Sequence, residues 1–174
     1  MAEYIDIFDE NWNPTGEVLE KSEAKRLGKW RLGVGVCFVN PRGELLLARR
    51  SPAKKVCPGM WDVSTGGHVH AGESVVGAAI REVREELGVD ISAEQLIELT
   101  KRKSVENNAL QTKFLVKSDL PLDAFTFVDG EVSAVKYIPW RELAKMSEKE
   151  MLENDIIPYK EYGYMFEYLD KNVF

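Results

Sequence analysis

Three glutamates, Glu82, Glu85 and Glu86, fall within a five-residue span. Residues three and four apart share one face of a helix, so in a helix their carboxylates converge within several ångströms, with no Lys between them. Like charges so placed repel. The arrangement makes sense where a hard divalent cation sits among them, because Mg2+ takes oxygen ligands and keeps several waters. A solvated acidic face has the same local sequence. What sets this one apart is its lead-in. Gly66-Gly67 permits a tight backbone turn and brings a main-chain carbonyl near the acids. Glu73 and Arg81 frame the acids and can pair across a loop–helix junction.

The helix that must carry these groups runs from Ser74 to Leu87. Val75, Ala79, Val83 and Leu87 recur every four residues, and Val76 and Ile80 widen the apolar stripe. Ser74 is the N-cap, Glu73 suits the positive end of the helix dipole, and Gly88 is the C-terminal stop. This pattern puts Glu82, Glu85 and Glu86 on the opposite, exposed face.

From Gly67 the chain reads Gly, five residues, Glu73, seven residues, then Arg81-Glu82-Val83-Arg84-Glu85-Glu86-Leu87-Gly88-Val89. This resembles the signature of the Nudix hydrolases at every fixed position. The resemblance implies an α/β fold, the Nudix α/β/α sandwich with a mixed sheet between helices; the order of elements alone gives only α/β or α+β. It implies Mg2+ as cofactor, with Mn2+ as a substitute. Glu85 and Glu86 become the main metal ligands, Glu82 a further ligand or the general base, and the Gly66 carbonyl an additional ligand. Arg81 is grouped with the catalytic set in a supporting role, through a salt bridge to Glu73; Gly67, Glu73 and Gly88 are structural. Glu131, at the head of the last strand, stands where several Nudix enzymes supply a further acid, though an exposed Glu at a strand start is also unremarkable. Glu106 is a second candidate. The signature leaves His68 and His70 variable, and they read as ordinary loop residues.

Arg49-Arg50-Ser51-Pro52-Ala53-Lys54-Lys55 packs four cations into seven residues of an acidic chain. Either it is a solvated loop, or Arg50 and Lys54 clamp a diphosphate, Arg as a fork and Lys as a point charge. Asp6-X-X-Asp9-Glu10, Pro14-Thr15-Gly16, Arg49-Arg50, Lys54 and Pro58-Gly59-X-Trp61-Asp62-X-Ser64 resemble the isopentenyl-diphosphate-isomerase-like branch of the family. Its isomerases use a Cys two residues after that Ser. Here the position is Gly66, and neither Cys37 nor Cys57 matches it. The expected activity is therefore Mg2+-dependent hydrolysis of a nucleoside diphosphate derivative or another small organic diphosphate. Isopentenyl-diphosphate isomerisation and a non-catalytic nucleotide-binding sensor are the alternatives. A pure binder has no need of repelling carboxylates.

The 174 residues are expected to form a single Nudix domain, with 1–29 as an N-terminal strand and hairpin extension. Composition is that of a globular protein, 44% hydrophobic and 30% charged, and the net charge of −6 argues against a nucleic-acid polymer as partner. No apolar run has membrane-spanning length, the start is not a signal peptide, and the two Cys are not spaced for a zinc site. A cytoplasmic protein without a membrane partner is expected, and a homodimer fits the family. Trp12, Trp30, Trp61 and Tyr137 stack on a base or pack in the core. The aromatics of an expected terminal helix, Pro158 to Leu169, read as core.

Overall fold

The computed structural model describes residues 2–63, 65–158 and 162–172. In chain order its elements are β1 (Tyr4–Phe8), β2 (Pro14–Glu20), α1 (Lys21–Arg26), β3 (Trp30–Val39), β4 (Glu44–Arg50), β5 (Trp61–Asp62), α2 (Val75–Leu87), β6 (Ile97–Ser104), β7 (Ala109–Lys117), β8 (Val132–Pro139), α3 (Trp140–Leu143), α4 (Glu148–Glu153) and α5 (Gly163–Asn172). The strands form one mixed sheet in the order β2-β1-β3-β4-β5, with β7 and β6 continuing beside β3, and β8 beside β4. β3 and β7 run parallel, from Arg31↔Ala109 to Val39↔Lys117. The remaining strand pairs are antiparallel.

β3 is apolar on both sides because both sides are covered. Leu32, Val34, Val36 and Phe38 join a core with Ala79, Val83 and Leu87 of α2. Cys37 and Val39 join a second core with Met165 and Leu169 of α5. The sheet therefore lies between helices, as expected of an α/β/α layering. No helix among the described residues is long and apolar enough to cross a membrane.

α2 begins and ends where its caps require. The Ser74 hydroxyl accepts from Gly77 N at 2.9 Å, and Gly88, at φ 68°, donates its N–H to the Arg84 carbonyl at 3.0 Å. Its faces differ from the sequence expectation. Glu82 and Glu86 are only 9% and 8% exposed, whereas Val76 is 37% exposed. The buried stripe runs through Ala78, Ala79, Glu82, Val83, Glu86 and Leu87, because the glycine loop packs over the two glutamates. Only Glu85 of the three faces solvent.

The short helices α1 and α4 were not expected, since six residues hold too little periodicity to register. The terminal helix begins later than expected, at Gly163, and residues 159–161 of the expected span lie outside those described. Trp12, Trp30 and Tyr137 pack against the α2-side core. Trp61 packs against the other, under Arg49 and Lys136.

Gly88 combines the left-handed backbone with close approach: a Cβ there would lie 1.9 Å from Thr126 Oγ1 and 2.5 Å from the Thr126 carbonyl. Gly88→Ala should destabilise the protein by about 2 kcal/mol or more. In thermal melts that is a fall of roughly 4–8 °C; an unchanged Tm would show that the turn relaxes freely.

Candidate active site

Residues 65–69 lie along β3 as a short extra strand. Val36 N donates to the Thr65 carbonyl at 2.8 Å, Val34 N to the Gly67 carbonyl at 2.9 Å, and Val69 N to the Leu32 carbonyl at 3.0 Å. This pairing holds the glycine loop over α2. Gly67 sits so close to the helix that a Cβ would lie 2.4 Å from Glu82 Oε1. Gly66, at φ 147°, has no room either, since its Cβ would lie 2.3 Å from the Val34 carbonyl oxygen.

Arg81 fastens loop to helix. Its Nε and Nη2 reach the two oxygens of Glu73 at 2.9 and 3.0 Å, and Nη2 also donates to the His68 carbonyl at 3.0 Å. Nη1 donates to Glu82 Oε1 and Glu85 Oε2, both at 2.9 Å. Burial works against the guanidinium charge, but these hydrogen bonds and the Glu82 charge outweigh it, and Arg81 is held above its ordinary value. The acids are thus not left to repel one another, as the sequence reading supposed.

Glu86 accepts from the Thr65 hydroxyl and from Gly66 N, the latter at 3.2 Å. Burial, aided by the Glu82 charge, pushes its carboxyl from an ordinary 4.5 to about 8. Burial likewise raises Glu82, against the pull of Arg81. Glu131 forms an ion pair with Lys54. Burial opposes ionisation of Glu131, but Lys54 prevails and its carboxyl is lowered.

Glu82, Glu85, Glu86 and Glu131 all line one cavity of about 670 Å3, which also exposes Gly66, Arg50 and Lys54. The Nε of Arg50 donates to the Val56 carbonyl at 3.0 Å. Glu106 lies in the β6–β7 turn, away from this cavity. Gly88 caps the far end of α2. The sequence reading missed Lys21, Asp129 and Thr65. Lys21, on α1, pairs with Glu3 and lines the cavity, a position that depends on the β1–β2 hairpin and leaves no local signal. Asp129 also lines it, and its place beside Glu131 was the available clue. Thr65 sits next to the Gly pair and had no other mark.

The donor set suits a hard divalent cation: oxygen side chains lining one cavity, with the Glu82 and Glu86 carboxyls held above their ordinary range chiefly by burial. Arg81 takes one oxygen of Glu82 and one of Glu85, and the other of each accepts no hydrogen bond among the described residues. Among the described residues no three His, Cys, Asp or Glu side chains form a ready-made cage. An open, partly hydrated site is what such an ion accepts.

A mixed sheet between helices, with a loop–helix set of carboxylates bound by one arginine, defines a Nudix fold and site. The NUDIX domain family matches residues 29–159, and the chain belongs to the Nudix hydrolase family, whose members use divalent metal ions. The chain is 34% identical to Nudix hydrolase 3 of Arabidopsis thaliana over 95% of its own length but 23% of that protein's. It is 42% identical to the isopentenyl-diphosphate Delta-isomerase of Citrobacter koseri over 52% of this chain and 50% of that one. Among solved structures, DR0079 from Deinococcus radiodurans superposes with a TM-score of 0.66 at 26% identity, covering 87% of this chain and 98% of that one.

Because folded Glu86 holds its proton more tightly than the unfolded chain does, the metal-free protein has the full stabilisation from this one group below about pH 4.5. It loses stability as pH rises toward about 8, where the buried carboxyl must ionise. In EDTA, Glu86→Gln should therefore melt above the parent at pH 8.5, with the gap closing toward pH 5. A parent that melts higher at pH 8.5 would contradict the raised carboxyl.

Proposed function

We propose that the protein is a Mg2+-dependent hydrolase of a small organic diphosphate, a nucleoside diphosphate derivative or a similar compound. The observation that carries the reading is one cavity lined by Glu82, Glu85, Glu86 and Gly66 together with the cations Arg50 and Lys54, which suit phosphate. Glu85 and Glu86 would hold the ion, with Glu82 and the Gly66 carbonyl as further ligands; Mn2+ fits the same oxygens. When bound, the ion neutralises phosphate oxygens and eases deprotonation of water. Arg50 and Lys54 grip the diphosphate by charge-assisted hydrogen bonds. Lys54 starts paired with Glu131, so an arriving phosphate competes with that carboxylate. Arg81 and Glu73 position the acids. A water near Glu82 or Glu131 can give up its proton there, since both carboxylates face the cavity.

The match to an isomerase over half the chain supports a second reading. Moving a double bond needs an acid and a base on opposite sides of an unactivated carbon chain. The isomerases place a Cys at the Gly66 position, where this backbone leaves no space for a Cβ. Loss of one such group costs a factor of roughly 10²–10⁴. The acid set favours hydrolysis.

Two experiments test this. With Mg2+ and a panel of diphosphates, Glu85→Gln and Glu86→Gln should each lower kcat on the order of 10²-fold, while Glu106→Gln stays within about twofold. Near-normal turnover in both Glu85→Gln and Glu86→Gln at limiting Mg2+ would remove the assignment. With isopentenyl diphosphate, phosphate release without dimethylallyl diphosphate is expected. Dimethylallyl diphosphate formed at many turnovers per minute, with no phosphate released from any diphosphate, would make the isomerase reading correct.

A further inference from the structure

On the α5 side of the sheet a second cavity, of about 290 Å3, shares Arg50, Gly66, Gly67, His68 and Glu86 with the first. Gly33, Gly66 and Gly67 put bare backbone into its lining. Gly33 and Gly35 of β3 stand opposite Gln111 and Lys113 of β7 in the parallel register. A Cβ on Gly35 would lie 2.6 Å from Lys113 Nζ and 2.9 Å from its Cδ, so the Lys113 chain crosses the space that a larger residue would fill. Tyr162 and Tyr164, at the start of α5, line the cavity as well.

The polar groups here are under-used. Arg31 is 8% exposed, and its Nε is buried without a hydrogen-bond partner, while Nη2 reaches the Asn107 carbonyl. Neither the Lys113 nor the Gln111 side chain makes a hydrogen bond or ion pair among the described residues. The acids lining this cavity have work elsewhere: Glu86 is engaged by Thr65, and Asp62 has interactions of its own. A buried guanidinium N–H without an acceptor is costly, and a ligand that supplies one recovers that cost. Arg31 lies three residues along β3 from Val34, which binds the Gly67 carbonyl, hence about 10 Å along the strand from that pairing.

We propose that this cavity takes the organic part of the substrate and that this part carries a second anionic group, a phosphate or carboxylate, bound by Arg31 and Lys113. The inference rests on the diphosphate-hydrolase reading of the adjoining site and narrows its substrates to compact, polar compounds with an anion at each end. A hydrocarbon tail would bury Arg31, Gln111 and Lys113 without partners, which disfavours an isoprenoid.

The test compares phosphoribosyl diphosphate with isopentenyl diphosphate, which has the same carbon count and no second anion. Wild-type kcat/KM should favour the former by about tenfold or more. Lys113→Gln and Arg31→Gln should lose that preference through KM, and Lys113→Arg should keep it. Should Arg31→Gln fail to fold, Lys113→Gln carries the test, since its side chain is partly exposed and holds nothing in place. Equal wild-type kcat/KM for the two compounds, or a preference that survives Lys113→Gln, overturns the proposal. Calorimetric binding of phosphoribosyl diphosphate to the same proteins, with Ca2+ in place of Mg2+, separates the two readings when set beside phosphate release with Mg2+. Binding that weakens about tenfold in Lys113→Gln, in a protein that releases no phosphate, retains the second-anion site and removes the hydrolase. Wild-type protein that neither binds nor cleaves the compound removes both.

Discussion

The site depends on one charge placed where burial alone would forbid it. Arg81 is partly buried, yet its five hydrogen bonds reach Glu73, the His68 carbonyl, Glu82 and Glu85. A buried charge is tolerated only when paired and fully hydrogen-bonded, and a planar guanidinium can serve carboxylates on two sides at once. A Lys at this position would supply a point charge without the fork. It would release either the loop, through Glu73, or the helix, through Glu82. The glycine loop and α2 come from different parts of the fold, and this residue is what makes them one surface.

That surface has to be built on something rigid, and β3 supplies it. The loop pairs with β3 through Val34, Val36 and Leu32. β3 is fixed in turn by a nine-residue parallel register with β7 and by cores on both of its faces. The side-chain alternation of one strand therefore divides the labour. Leu32, Val34, Val36 and Phe38 seat the helix that carries the acids, whereas Arg31, Gly33, Gly35 and Cys37 point to the opposite side. Glu86, beneath Gly66, borders the cavities on both sides. Any compound whose diphosphate lies against the acids has its remaining atoms directed over the glycine lining.

Helix α2, its two caps and β3 were legible because each is set by local chemistry: a hydroxyl cap, a glycine stop, a run of Val. The Arg81–Glu73 contact was legible because fixed spacing brought it into reach. The burial of Glu82 and Glu86 was not. Periodicity sees only apolar residues, and a carboxylate turned inward under a loop looks the same in sequence as one turned outward. Lys21 was hidden for a related reason. Its place in the cavity is set by how the β1–β2 hairpin folds across the sheet edge, not by its neighbours in the chain. The pairing of Lys54 with Glu131 joins segments 77 residues apart; each residue had been singled out, and only the fold relates them.

Lys54 and Glu131 also say something about what the cavity is matched to. Its acidic residues are balanced from four segments, by Arg81 on α2, Arg50 at the end of β4, Lys54 before β5 and Lys21 on α1. A free anion would meet Glu82, Glu85 and Glu131 and be repelled. A lone cation would meet Arg81, Lys21 and Lys54. A diphosphate that carries its own divalent ion presents both signs together, negative oxygens toward the lysines and positive charge toward the glutamates. Electrostatic complementarity of this kind selects for the complex over either component, because each charge on one finds its opposite on the other. On the function proposed above, it would also let a chain with a net charge of −6 hold a polyanion. The field that matters is that of the cavity lining, where the basic residues of four segments are gathered, and not that of the whole surface.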